Sequence, residues 1–199
     1  MTEPLEIAAN VATGIAIFLA GRNNVHTWWT GIVGCSLFAI LFYQTNLYAD
    51  VLLQVFFIAS SALGWWQWLK GNHGKVLPVT NASARTLLLI APIGLLTTAA
   101  YGALLHYYTN AYAPFMDSAV LVFSILAQLL LLQRRVENWP LWVLVNSIAV
   151  PLYASRGLYL TSILYACYWV NALVSWHAWR KLARADGSPI LSAIDPSTT

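Results

Sequence analysis

Apolar residues run through the chain in seven blocks, at about 5–20, 28–43, 48–69, 86–106, 115–133, 140–155 and 158–179. Polar and charged residues collect between the blocks instead of alternating within them. About 20 apolar residues span a bilayer as a helix. The shorter blocks are flanked by Trp, Tyr, Asn or Arg, which can sit at a membrane interface. The pattern therefore predicts an all-α integral membrane protein with seven transmembrane helices. Most connections are tight, so consecutive helices are antiparallel neighbours. The one longer loop, 70–85, holds the breakers Gly71, Asn72, Gly74 and Pro78. Residues 1–185 read as a single membrane domain, and 186–199, polar with Pro189 and Pro196, as a disordered tail.

Composition agrees. Of 199 residues, 59% are hydrophobic and only 9% charged, against about 25% charged in a soluble domain. Too little charge is present to coat a water-facing surface. The ten Lys and Arg residues fall between the blocks, where they set orientation and do not suggest nucleic acid as a partner. With the N-terminus outside, the inner side receives Arg22, Lys70, Lys75, Arg85, Arg134, Arg135, Arg180, Lys181 and Arg184, and the outer side only Arg156. This predicts N-out and C-in. The start, Met1-Thr2-Glu3, is acidic and does not read as a signal peptide.

The chain also repeats itself. Leu47-Tyr48 matches Leu158-Tyr159, Trp65 matches Trp176 and Trp68 matches Trp179, at an offset of 111. Trp29 matches Trp139 and Tyr43 matches Tyr153, at an offset of 110. The reading is a 3+1+3 arrangement: one three-helix unit at about 5–69, a linking helix at about 86–106, and a second unit at about 115–179. One linking helix leaves the two units parallel in the membrane, with a site expected near the midplane where they meet.

Four amides interrupt the apolar blocks: Gln54, Gln128, Asn146 and Asn171. Intramembrane polar groups face the bundle interior, and an unpartnered buried amide costs roughly 1–3 kcal/mol. Single amides often act as glue between helices; four together among aromatic residues suggest a polar cavity. Trp139, Trp142 and Asn146 lie three and four apart, on one helix face. Trp142, Tyr165, Tyr168 and Trp169 stand away from block ends, where a ring can stack on a planar ligand or hold a delocalised cation. Asp50 and Asp117 fall at outer helix ends, where a carboxylate complements the helix dipole. No Asp, Glu or Lys lies at the expected midplane, which argues against a buried proton or sodium relay and against a strongly anionic cargo. Cys35 and Cys167 read as core residues. No nucleophile–base pair, phosphate-binding loop or metal cluster is present, so no catalytic residue, metal or cofactor is expected.

The runs Leu47-Tyr48-Ala49-Asp50-Val51-Leu52-Leu53-Gln54 and Gly64-Trp65-Trp66-Gln67-Trp68, with Glu137-Asn138-Trp139-Pro140-Leu141-Trp142 leading to Asn146, resemble the PnuC family of bacterial vitamin transporters. The likeness spans block one through Trp179. It implies a fold related to the SWEET sugar transporters, a homotrimer in the inner membrane, and passage of nicotinamide riboside without ATP, the cargo being trapped by a cytoplasmic kinase. The family's ligand-facing positions fall on Trp139, Trp142, Asn146 and Gln54; Asn171, Tyr168 and Gln128 join them on depth and chemistry. Nicotinamide riboside is a flat pyridinium with a ribose, suited to ring faces and amides. Thiamine, also a cationic heteroaromatic, fits the same chemistry. A membrane scaffold or an intramembrane enzyme are the competing readings, and the residues favour them less.

Overall fold

A computed structural model describes residues 2–44, 48–110 and 112–186. Residue 47, the side chain of Asp50 and the tail 187–199 lie outside what it describes. Among the described residues the chain forms seven helices: α1 (Thr2–Gly21), α2 (Thr27–Gln44), α3 (Tyr48–Lys70), α4 (Ala84–Tyr108), α5 (Pro114–Leu132), α6 (Asn138–Ser155) and α7 (Tyr159–Asp186). Each overlies one apolar block. Only α7 differs much, running to Asp186 where the apolar pattern stops at 179. Its last turns carry Arg180, Lys181 and Arg184, good helix formers that need no apolar surroundings. Stretches of α1, α3, α4 and α5 are long and apolar enough to cross a bilayer. Helices α2 and α6 have 18 residues each.

The helices fall into two compact units, Met1–Leu77 and Pro78–Thr199. In the first, α2 packs on α1 and α3. Ala9, Ala16 and Ala20 form a buried face of α1. A Cβ at Gly34 of α2 would stand 2.6 Å from Thr13 Oγ1 and 3.1 Å from the Thr13 backbone nitrogen. Small residues here let two helix backbones approach closely, the usual means of holding helices together in lipid. Thr27 Oγ1 donates to the Ala16 carbonyl at 2.8 Å and ties the start of α2 to α1.

In the second unit α5 lies beside both α4 and α6, and α7 packs on α6. The α4–α5 contact again uses glycine: Gly94 faces Phe123 and Gly102 faces Phe115. Ser83 caps α4 by accepting from Thr86 N–H, and Pro114 opens α5, where its missing N–H costs nothing. The segment before α4 is pinned to the α5–α6 turn. Thr80 N–H donates to the Arg134 carbonyl (3.2 Å) and Val136 N–H to the Thr80 carbonyl (3.0 Å). Arg135 Nη1 donates to Thr80 Oγ1 (2.6 Å) and Ala82 N–H to Glu137 Oε2 (2.7 Å).

The α1–α2 and α5–α6 turns have the same construction. Asn23 and Arg134 both take left-handed backbone, φ 55° and 56°. Asn23 N–H donates to the Ala20 carbonyl and Asn24 N–H to that of Leu19; Arg134 N–H donates to Leu131 and Arg135 N–H to Leu130. Trp28 meets Trp68 edge-on, ring centroids 5.1 Å apart, and Trp139 meets Trp179 likewise at 5.5 Å. Every one of these pairs is separated by 111 residues. The offset of 110 read from Trp29 is therefore corrected: Trp28, not Trp29, is the counterpart of Trp139, and by the same register Phe42, not Tyr43, is that of Tyr153. In a Trp-Trp doublet the sequence cannot choose; burial can. Trp28 is 2% exposed, like Trp139, and Trp29 is 43% exposed.

Candidate functional site

Of the seven candidate ligand residues, six lie in the second unit. Helix α6 holds three on one stripe. At its start Trp139, 2% exposed, is closed against the ring of Trp179. One turn on, Trp142 is half-buried and packs on the cluster of Ala119, Phe123 and Val145. A further turn brings Asn146, 4% exposed, between the buried Val145 and Ala149. Among the described residues its amide makes no hydrogen bond. A buried amide without a partner is costly unless something else serves it.

Depth follows from the α6–α7 pairing. Trp139 meets Trp179 at one end, and Tyr153 meets Tyr165 at 4.9 Å at the other. Asn146 is midway between the first members and Ala172 midway between the second, so Asn146 and Asn171 share a level. Asn171 is half-buried and has a partner of its own. Tyr168, one turn before it, is half-buried and edge-on to Tyr165 at 5.7 Å. Trp169 takes a different role: its indole N–H donates to Ser147 Oγ at 3.0 Å and fastens α7 to α6. Gln128 on α5 is buried and also partnered. Gln54 belongs to the first unit, half-buried on α3, with no hydrogen bond among the described residues.

The repeat separates framework from specialised positions. At an offset of 111 the framework recurs: Trp28 with Trp139, Trp68 with Trp179, Asn23 with Arg134. The candidate ligand positions other than Trp139 do not. Asn146 corresponds to Cys35, Trp142 to Gly31, Asn171 to Ser60, and Gln54 to Tyr165. At these equivalent positions the two units carry different side chains.

Sequence reasoning missed one ion pair. Asp117, expected only to complement the α5 dipole, accepts from Arg156 Nη2 at 2.6 Å, with side chains 32% and 27% exposed. Arg156 also lies over the Tyr112 ring, 5.6 Å from its centroid. The signal was available: Arg156 is the one cation between the sixth and seventh apolar blocks.

Residues 3–181 match the family of the nicotinamide mononucleotide transporter. The chain is 32% identical to the nicotinamide riboside transporter PnuC of Escherichia coli (strain K12), over 94% of this chain and 90% of that protein. It is 27% identical to the riboflavin/roseoflavin transporter RibM of Streptomyces davaonensis, over 94% and 89%. A crystal structure of the vitamin B3 transporter PnuC superposes with a TM-score of 0.71 at 24% identity, over 91% of this chain and 82% of that one. With its seven helices, four of them long and apolar enough to span a bilayer, and a family match over almost its whole length, the chain is a multi-pass membrane protein and belongs to the nicotinamide mononucleotide transporter family.

Proposed function

We propose that this protein carries nicotinamide riboside across the bacterial inner membrane by facilitated diffusion, without ATP hydrolysis and without enzymatic activity. The observation that carries the site is Asn146, 4% exposed and without a hydrogen bond among the described residues. An amide there can accept from and donate to the hydroxyls or carboxamide of the cargo, replacing the water it gives up. The face of Trp142, one turn away on the same stripe, supplies cation–π attraction to the pyridinium, larger in a desolvated place. Asn171, level with Asn146, with Tyr168 and Gln128, completes the polar lining; Gln54 is the first unit's candidate contact. Trp139, sealed against Trp179 as Trp28 is against Trp68, is assigned to packing.

The finer reading is a 3+1+3 arrangement of two parallel repeats, with the N-terminus outside and the C-terminus in the cytoplasm on the strength of the charge bias. Assembly as a homotrimer and trapping of the cargo by a cytoplasmic kinase belong to the same proposal and rest on the family likeness. The relative named for riboflavin supports a second reading, in which the cargo is another flat heteroaromatic vitamin. Thiamine shares the positive charge of nicotinamide riboside; riboflavin does not, so affinity for the three ranks the contribution of charge.

Uptake of radiolabelled nicotinamide riboside into proteoliposomes is the test. The expected result is saturable uptake in the absence of ATP, abolished in Asn146→Leu while that variant still elutes as a folded species in detergent. No uptake above empty vesicles would overturn the transport reading, and unchanged affinity in Asn146→Leu would remove Asn146 from the site.

A further inference from the structure

At the arginine-bearing end of the second unit, beside the start of α6, lies an open cleft of about 350 Å³, within the roughly 300–1,000 Å³ of small-molecule sites. Trp176, Arg180 and Arg184 line one wall; they are four residues apart and share one face of α7. Pro140, Glu137 and Asn81 are on the other side. Arg180 lies 5.6 Å from the centroid of the Trp176 ring. Among the described residues neither Arg180 nor Arg184 has a hydrogen bond or an ion pair. The carboxylate of Glu137 is engaged instead, accepting from Ala82 N–H at 2.7 Å. Two exposed guanidinium groups thus stand without an ion pair beside an aromatic wall, with the single carboxylate of Glu137 across the cleft.

The first unit reveals what makes the cleft. At an offset of 111, Pro140 corresponds to Trp29, Glu137 to His26, Arg180 to Leu69 and Arg184 to His73. There an indole stands where the second unit has proline, its N–H held by His26 Nδ1 at 2.9 Å. The second unit has lost a ring and gained two arginines at equivalent places.

We propose that this cleft binds an aromatic nucleoside monophosphate: the ring enters beside Trp176 in the space that Pro140 leaves open, and the phosphate is held by Arg180 and Arg184. The planar forks of arginine suit a phosphate monoester, and the order along α7 puts ring and phosphate at opposite ends of one wall. Asn81 is placed to reach a ribose hydroxyl. If the cargo is nicotinamide riboside, as proposed above, the matching occupant is its own phosphorylated form; the binding test itself needs no transport.

The experiment titrates nicotinamide mononucleotide against the full-length protein in phosphatidylcholine nanodiscs, with ribose 5-phosphate and inorganic phosphate as ring-free probes. Saturable binding of the nucleotide is expected, at least tenfold weaker in Arg180→Gln/Arg184→Gln and unchanged in Asn146→Leu. The ring-free probes should bind at least tenfold more weakly than the nucleotide. Equal affinity for ribose 5-phosphate would overturn the ring's part in the site. Binding lost in Asn146→Leu but not in the arginine variant would place the nucleotide in the transport path and overturn the proposal. So would an arginine variant that sheds phosphatidylglycerol on purification yet keeps its nucleotide affinity, since the site would then belong to a lipid headgroup. No saturable binding in the millimolar range would also overturn it.

Discussion

Gly64 of α3 lies flat against the benzo edge of Trp28 on α2: a Cβ at that position would stand 2.5 Å from Trp28 Cη2. Trp68, one turn further along α3, meets the same ring edge-on. At the equivalent place the second unit has Ser175, which is buried and already carries a Cβ. The two Trp pairs, 5.1 and 5.5 Å apart, are thus one device seated in two slightly different sockets.

Gly64→Ala should destabilise the first unit, by about 1–3 kcal/mol, the usual cost of overpacking a tight core. Thermal unfolding in detergent reads the loss as a lower midpoint. Shortening the clashing ring tests the cause: in a Trp28→Leu background the added methyl should cost less than in the wild type. Equal costs in both backgrounds would mean that the strain arises elsewhere.

Seven blocks became seven helices because lipid leaves a chain few options. Every backbone group must be satisfied within its own segment, so hydrophobic length alone nearly fixes the element. The stripe of Trp139, Trp142 and Asn146 was equally legible, since helical periodicity needs only the sequence. What its three members do was not. Trp139 and Trp142 look alike in sequence, and only the structure shows that the first lies edge-on to Trp179 while the second packs on Ala119, Phe123 and Val145. Likewise Asn171 and Gln128 have partners while Asn146 makes no hydrogen bond among the described residues, a distinction the sequence alone does not carry. The repeat was visible but misaligned by one residue at Trp29, because a doublet of identical side chains carries no register. The cleft beside Trp176 left almost no trace, for it is defined by the indole that Pro140 is not.

The Asp117–Arg156 pair predicts an asymmetry. Removing the arginine leaves a carboxylate in the first turn of α5, where the helix dipole still favours it. Removing the carboxylate leaves a half-buried cation whose Nε has no partner among the described residues, and an uncompensated charge is the dearer loss. Asp117→Asn should therefore lower the unfolding midpoint more than Arg156→Gln, with the pair itself contributing no more than about 1 kcal/mol at this exposure. The double variant Asp117→Asn/Arg156→Gln should recover part of what Asp117→Asn loses. Midpoints for the two singles and the double, measured in one detergent, decide the matter; equal losses in the singles would mean that the dipole contributes nothing.

Trp142 allows binding to be separated from packing. Its ring is half-buried and touches the cluster of Ala119, Phe123 and Val145, so truncation to alanine removes both a cation–π face and core area. Trp142→Phe keeps most of the packing and weakens the quadrupole, because Trp is the best of the aromatic faces for a cation. If the ring holds the pyridinium, Trp142→Phe should lose affinity for nicotinamide riboside by about 0.5–1 kcal/mol, up to roughly fivefold, with little change in the unfolding midpoint. Trp142→Ala should lose more of both. The loss in Trp142→Phe should also be smaller for riboflavin, whose neutral ring gains nothing from a quadrupole, and calorimetric titration of the two vitamins against wild type and variant measures that difference. A variant that weakens both vitamins alike, in step with its midpoint, would return Trp142 to the core.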